Sequence, residues 1–388
     1  MFAFLRGTRK LWTAVTASIA LIGLASCSGD FSPTPQIDSS RPVPVALLVP
    51  GGGSNAVENA MARSLENAAR LAMSDLDGVT IDLKVYNTAA DADTAAAMAK
   101  QAVRDGAKII LGPVYSQSAT AVGAAAPSVN VLSFSNNPAV AGGNVFVLGN
   151  TFQNTARRLV TYAAAQGKGD IMIVNGDSAT ENAGRDAIAQ AIASTPGATQ
   201  TGNMSFAVSQ TGVINAVRDI SIQARNSGSN SIFLTSGTDG ALSFLAQLLP
   251  ENGLTPDRIQ YIGLQRWDIP ASARTLPGLQ NGWFALPDPA LQDQFTQRYV
   301  AAYGENPHSI AGLAYDGIAA IGALAKSGNA DALSGAALTQ PQGFVGVNGV
   351  FRLRADGTAE RALAVMQIID KEPVVIAPAA RSFAVAGY

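Results

Sequence analysis

Hydroxyl and amide side chains gather at a few places in this sequence, and the densest gathering is Lys108 to Pro138, KIILGPVYSQSATAVGAAAPSVNVLSFSNNP. Tyr115, Ser116, Gln117 and Ser118 follow one short apolar run, Ile109 to Leu111, while Ser133, Ser135, Asn136 and Asn137 end or follow a second, Val129 to Phe134. Ser54, Asp177, Thr238, Gln265, Trp267 and Tyr315 occupy comparable places at the ends of other predicted elements. Such groups hydrogen-bond a small solute, with Trp267 as an apolar lid over it. The same residue types also cap helices and make turns, and a tryptophan also packs cores, so both readings stand open at each position.

Chemistry of other kinds lacks its parts. A metal centre needs clustered ligands, and the chain has one histidine, His308, and one cysteine, Cys27. A Ser-His-Asp triad would have to use that same histidine, and neither a G-x-S-x-G elbow nor a Walker A pattern is present. Gly51-x-Gly53-x-x-Ala56 matches the loose dinucleotide fingerprint, but Asn87 stands where an acidic residue should meet the ribose. The residues therefore point to binding without catalysis, with no metal and no cofactor. A net charge of −2 offers no basic footprint for nucleic acid.

The elements that must position these residues alternate. Val45 to Val49, the alternating Val79, Ile81, Leu83 and Val85, Ile109 to Leu111, and Val129 to Phe134 read as strands separated by helices, the sequence form of right-handed βαβ crossovers and a parallel sheet covered on both faces. After Val145 to Leu148 the alternation begins again and runs to Ile259 to Leu264. Two such halves imply an α/β protein of two lobes, and ligands bind at the carboxyl ends of parallel strands. Gly282 to Ala285 and the helices after it are expected to return to the first lobe. Phe344 to Leu353 and Leu363 to Ile369 are expected to close the fold as a hairpin turning at Asp356-Gly357.

The chain opens with a targeting pattern: Arg6, Arg9 and Lys10, then the apolar run Leu11 to Leu24, too short to span a bilayer, then Leu24-Ala25-Ser26-Cys27. That site resembles a bacterial lipobox. The resemblance implies a signal peptide over residues 1–26, a lipidated Cys27, and, because Ser28 follows, sorting to the periplasmic face of the outer membrane. Residues 27–42, rich in Ser, Pro, Asp and Gln, are expected to be a flexible tether.

From Val43 to Ile376 the chain resembles the leucine-binding-type, or type I, periplasmic binding proteins. The residues that carry the likeness are VALLVPGGG, the LGPVYSQSA to VLSFSNN unit, IMIVNGD and AYDGIAAIGAL. It implies two lobes joined by three crossovers, lobe one at 43–148 plus 282–326 and lobe two at 149–281 plus 327–388. AARLAMSDL, VLSFSNNPAVAGGNVFVLG and GFVGVNGVFRLRADGTAERALAV further resemble the penicillin-binding protein activator lipoproteins built on this fold. That closer likeness implies a non-enzymatic envelope lipoprotein whose partner is a bifunctional peptidoglycan synthase. The alternative is a receptor closing its cleft on an amino acid or similar solute for an ABC transporter. The resemblance to such receptors implies an acid for the ligand's ammonium; the matching stretch reads Gly263-Leu264-Gln265-Arg266-Trp267, with an amide and a cation in its place.

Overall fold

Val43–Val49 forms the first strand, β1, and all but one of its residues are buried, as a strand covered on both faces by helices requires. A computed structural model describes residues 35–38 and 40–383; the expected signal peptide, Cys27 and the first part of the tether lie outside the described residues. The end of the expected tether is not free. Ile37 is buried against the first core and its N–H donates to the Ala330 carbonyl at 2.8 Å.

The chain proceeds through α1 (Ala56–Ser74), β2 (Ile81–Asn87), α2 (Ala92–Arg104), β3 (Ile109–Leu111), α3 (Ser116–Ala125), β4 (Asn130–Ser133) and β5 (Val145–Val147). These strands make an all-parallel sheet of order β2-β1-β3-β4-β5. Helix starts are set locally: the Asn55 side chain accepts from Val57 N at the start of α1, and Asp91 accepts from Thr94 N at the start of α2. At the end of β3, Gly112 has φ +89°, and a Cβ there would stand 2.2 Å from the Leu48 carbonyl oxygen, so only glycine fits.

The second sheet is built from β6 (Asp170–Gly176), β7 (Thr199–Phe206), β8 (Ser231–Leu234), β9 (Gln260–Gly263) and β10 (Trp283–Leu286), interleaved with α4 (Phe152–Ala165), α5 (Ala179–Ser194), α6 (Gln210–Asn226) and α7 (Leu242–Glu251). Next come α8 (Pro289–Tyr303), α9 (Ala311–Ala325), α10 (Gly335–Leu338), β11 (Phe344–Gly346), β12 (Gly349–Leu353), β13 (Ala359–Arg361), β14 (Ala364–Ile369) and β15 (Glu372–Ala377). The larger sheet runs β15-β14-β10-β9-β8-β6-β7, parallel except at β14 and β15. No helix among the described residues is long and apolar enough to cross a membrane.

Two placements differ from expectation. Trp283–Leu286 pairs with β9 and β14 in the larger sheet, so the chain returns to the first sheet's core only with α8 and α9. Residues 327–359 pack mainly on the first half and not, as expected, on the second: Leu333, Phe344, Phe351 and Ala359 enter the first core, while Val350 reaches the second. The Asp356-Gly357 turn closes β12 onto β13 within a small antiparallel sheet, and β14 pairs elsewhere. The reason is physical: strands of three to five residues carry too little pattern to specify a partner far along the chain.

Candidate functional site

The carboxyl ends of β3, β4 and β5 supply one wall of a cavity of about 500 Å³. Val114, Tyr115 and Ser116 come from the turn after β3, Phe134, Ser135 and Asn136 from the turn after β4, and Gly149 and Asn150 from the chain leaving β5. The facing wall comes from the second sheet, with Arg266 after β9 and Ala285, Leu286 and Pro287 at the end of β10. Gln292, Ser309, Ile310, Leu313, Asn348 and Arg361 complete it. A pocket of this size, apolar with a few converging polar groups, suits a small solute.

Serines organise the first wall. Ser133 Oγ donates to the Pro113 carbonyl at 3.0 Å and accepts from Ser135 N at 3.1 Å, which ties the turn after β4 to the turn after β3. The Ser116 and Ser135 hydroxyls lie 3.1 Å apart, and Ser135 Oγ also accepts from Asn137 N at 3.1 Å. Helix α3 starts at this wall with Tyr115 as its N-cap and no side-chain cap bond, so its first N–H groups are left for another acceptor. The Tyr115 hydroxyl donates to Glu58 at 3.3 Å; burial, then the Glu58 charge and hydrogen bond, raise its pKa.

The second wall carries two arginines, each paired with an aspartate. Arg266 holds both oxygens of Asp268, through Nε at 3.0 Å and Nη2 at 2.5 Å. Arg361 is buried, donating from Nε to the Leu148 carbonyl at 2.7 Å and from Nη1 to Asp316 at 2.8 Å, with its guanidinium 4.7 Å from the Phe351 ring. Asp316, on α9 and wholly buried, also accepts from the backbone N and side-chain amide of Asn348. Gln292 of α8 donates to Asn348 Oδ1 at 3.1 Å. One network thus fastens the strand before the last crossing, the chain leaving β5, and helices α8 and α9.

The residues singled out from sequence divide. Ser116 and Ser135 line the cavity; Ser118 is buried in the first turn of α3 and does not line it. Asn137 instead caps a short turn, accepting from Ala139 N, and does not line the cavity. Ser54 is exposed, and the glycines before it form a turn closed by Asn59, which accepts from Gly52 N and donates to the Gly53 carbonyl. Asp177 is exposed at the end of β6 and lies off the cavity wall. Thr238 donates to the Ile269 carbonyl and Gln265 to the Thr235 carbonyl, so both serve loop structure.

Trp267 is not a lid. It is wholly buried in the second core beside Phe284, where a Cβ on Gly263 or Gly282 would strike its ring at 2.2 and 2.5 Å. Tyr315 is also displaced: it donates to Asp75 in a separate groove with Phe295 and Arg298, and burial with the Asp75 bond raises its pKa to about 12. Both assignments failed for one reason: large amphipathic side chains look alike in sequence whether they face a cleft or a core. Arg361, Asn348, Gln292 and Phe134 were not singled out as site residues. Arg361 carries no local signal, because only the chain's return from the small sheet brings it to the cavity.

The comparisons with known proteins agree with this architecture. A family model described as periplasmic binding protein matches residues 42–373. A structure from Rhodospirillum rubrum, provisionally assigned to a branched-chain amino acid ABC transporter, superposes with a TM-score of 0.71 at 17% identity, over 87% of this chain and 100% of that one. A branched-chain amino acid ABC transporter periplasmic ligand-binding protein from Burkholderia xenovorans gives 0.68 at 18% identity, over 87% and 96%. A substrate-binding protein of Desulfitobacterium hafniense complexed with Leu gives 0.63 at 17%, over 87% and 100%. These likenesses establish the fold. Uncharacterized protein RP748 of Rickettsia prowazekii is 28% identical over 124 residues, a match spanning 31% of this chain and about a third (32%) of that relative. The family is a ligand-binding class, generally non-enzymatic and extracytoplasmic. With two α/β lobes of parallel sheets flanked by helices and a family match over most of its length, this chain belongs to the periplasmic binding proteins.

Proposed function

We propose that the chain is an extracytoplasmic receptor that binds a small solute between its two sheets and presents it to an ABC transporter. The observation that carries this reading is the cavity itself. Two sheets contribute strand-end residues to one space, and its serine wall is held open by hydrogen bonds made within the wall. Solved relatives hold isoleucine, Leu and 3,4-dihydroxy benzoic acid, which supports a small acid-bearing solute here. A screen of pooled metabolites by thermal shift, followed by calorimetry on the hits, tests it. One-to-one binding at micromolar affinity is expected, and a silent screen would remove the proposal.

A second reading is favoured by one observation: the positions expected to hold an ammonium group are occupied by Gln265, turned to a backbone carbonyl, and by Arg266. Under it the lobes serve as a docking body that stimulates a bifunctional peptidoglycan synthase, as the LGPVYS and VLSFSNNPAVAGG likeness implies. Under either reading, the lipobox likeness with Ser28 after Cys27 supports lipidation at Cys27 and a place on the periplasmic face of the outer membrane. Deletion separates them, since a docking body predicts reduced glycan-strand synthesis and raised β-lactam sensitivity, and a receptor predicts neither.

A further inference from the structure

We propose, resting on the receptor reading, that the solute is a small carboxylate with an apolar or aromatic body and no ammonium group. Three features of the cavity converge on this class.

The first is charge. Among the described residues, no Asp or Glu lines the cavity, whereas Arg266 does with its side chain 37% exposed; the Arg361 guanidinium is sealed against Asp316. Both oxygens of Asp268 are already gripped by Arg266. An ammonium group entering this space finds no free carboxylate to neutralise it, and burying an unpaired charge is costly. A carboxylate finds the Arg266 guanidinium.

The second is a set of donors that do face the space. The uncapped first turn of α3 presents N–H groups beside the Ser116 and Ser135 hydroxyls, and Arg266, its side chain 37% exposed, stands on the opposite wall.

The third is the remainder of the wall. Val114, Phe134, Leu286, Ile310 and Leu313 give an apolar face for the body of the ligand. The Ser116 and Ser135 hydroxyls can accept from a hydroxyl on the solute, yet a neutral oxygen cannot neutralise a cation.

The test pairs isosteres differing only at C2, a hydroxyl against an ammonium: 2-hydroxy-4-methylpentanoate against L-leucine, and 3-phenyllactate against L-phenylalanine. Each is titrated calorimetrically into the chain from Ser28 onward. The hydroxy acid is expected to bind about tenfold or more tightly than its amino acid. Arg266→Ala, at a side chain 37% exposed, should keep the fold by circular dichroism, weaken the hydroxy acid about tenfold and narrow the gap by uncovering Asp268. Equal or tighter binding of the amino acids, or of a neutral solute from the metabolite pool, overturns the proposal while the receptor reading stands. An unchanged hydroxy-acid affinity in Arg266→Ala overturns it as well. If no member of either pair and no pooled solute binds, the receptor reading falls and takes this inference with it.

Discussion

Arg361 and Asp316 are both removed from water, and each is satisfied mainly by the other and by backbone groups of the crossing segments. Removing one partner of such a pair strands the other charge, at a cost of about 3–5 kcal/mol. Asp316→Ala is therefore expected to lose about that much stability in urea unfolding, and replacing both residues by apolar ones of similar volume should cost clearly less. Equal losses in the single and double variants would show that the charges themselves are unimportant. Nearby, Glu360 is gripped by Arg157, Arg352 and Arg354. Burial alone would raise its carboxyl, but hydrogen bonds from Arg354 and Arg352 and the charge of Arg157 outweigh it, so its pKa lies below the ordinary value. A depressed carboxylate stabilises the fold above its unfolded pKa and loses that contribution as pH falls through the folded one. The stability difference between the parent and Glu360→Gln should accordingly be full at neutral pH and shrink on acidification below the ordinary glutamate range; a difference that grows would contradict it. At this scale sequence is a poor guide. Ser116 and Ser135 were legible because they sit at strand ends, while Arg361 and Asn348 reach the cavity only through contacts with residues far away in the chain.

Helix α9 is made almost wholly of small and aliphatic residues, and most of its positions are buried. A Cβ on Gly317 would stand 2.3 Å from a Leu111 methyl, and one on Gly322 would stand 2.5 Å from a Leu76 methyl, so this helix lies directly on β3 and the end of α1. Gly317→Leu is expected to cost about 1–3 kcal/mol through overpacking and to disturb the turn after β3, measurable as a lowered melting temperature together with weaker solute binding. Trp267→Ala makes the contrasting case. It opens the second core and should cost about 3–5 kcal/mol, with the affinity of the surviving folded molecules little changed, because the indole faces Phe284 and two glycines and not the cavity. A large affinity loss at unchanged stability would restore the lid. The alternating βα elements were readable because each strand or helix announces its own period over seven or more residues, as in β1, α1 and β6. The short strands β10 to β13 were misplaced because their partners are chosen by tertiary packing, with no local pattern to betray them.

Across the whole molecule, three chain crossings meet near one buried network: residues 148–151 leave β5, residues 287–288 enter α8, and residues 361–363 enter β14. A ligand touching both sheets stabilises whichever separation lets it touch both at once. Small-angle scattering of the chain with saturating solute should show a smaller radius of gyration than without, whereas no change would assign the crossings a purely structural role. Whether the space between the sheets holds a solute is read most directly by native mass spectrometry of the protein isolated from its own envelope. The predicted result is a one-to-one adduct of a small organic acid, lost in the Arg266→Ala variant. A spectrum of bare polypeptide from solute-rich cells, with a peptidoglycan synthase as the co-isolated species, would contradict it.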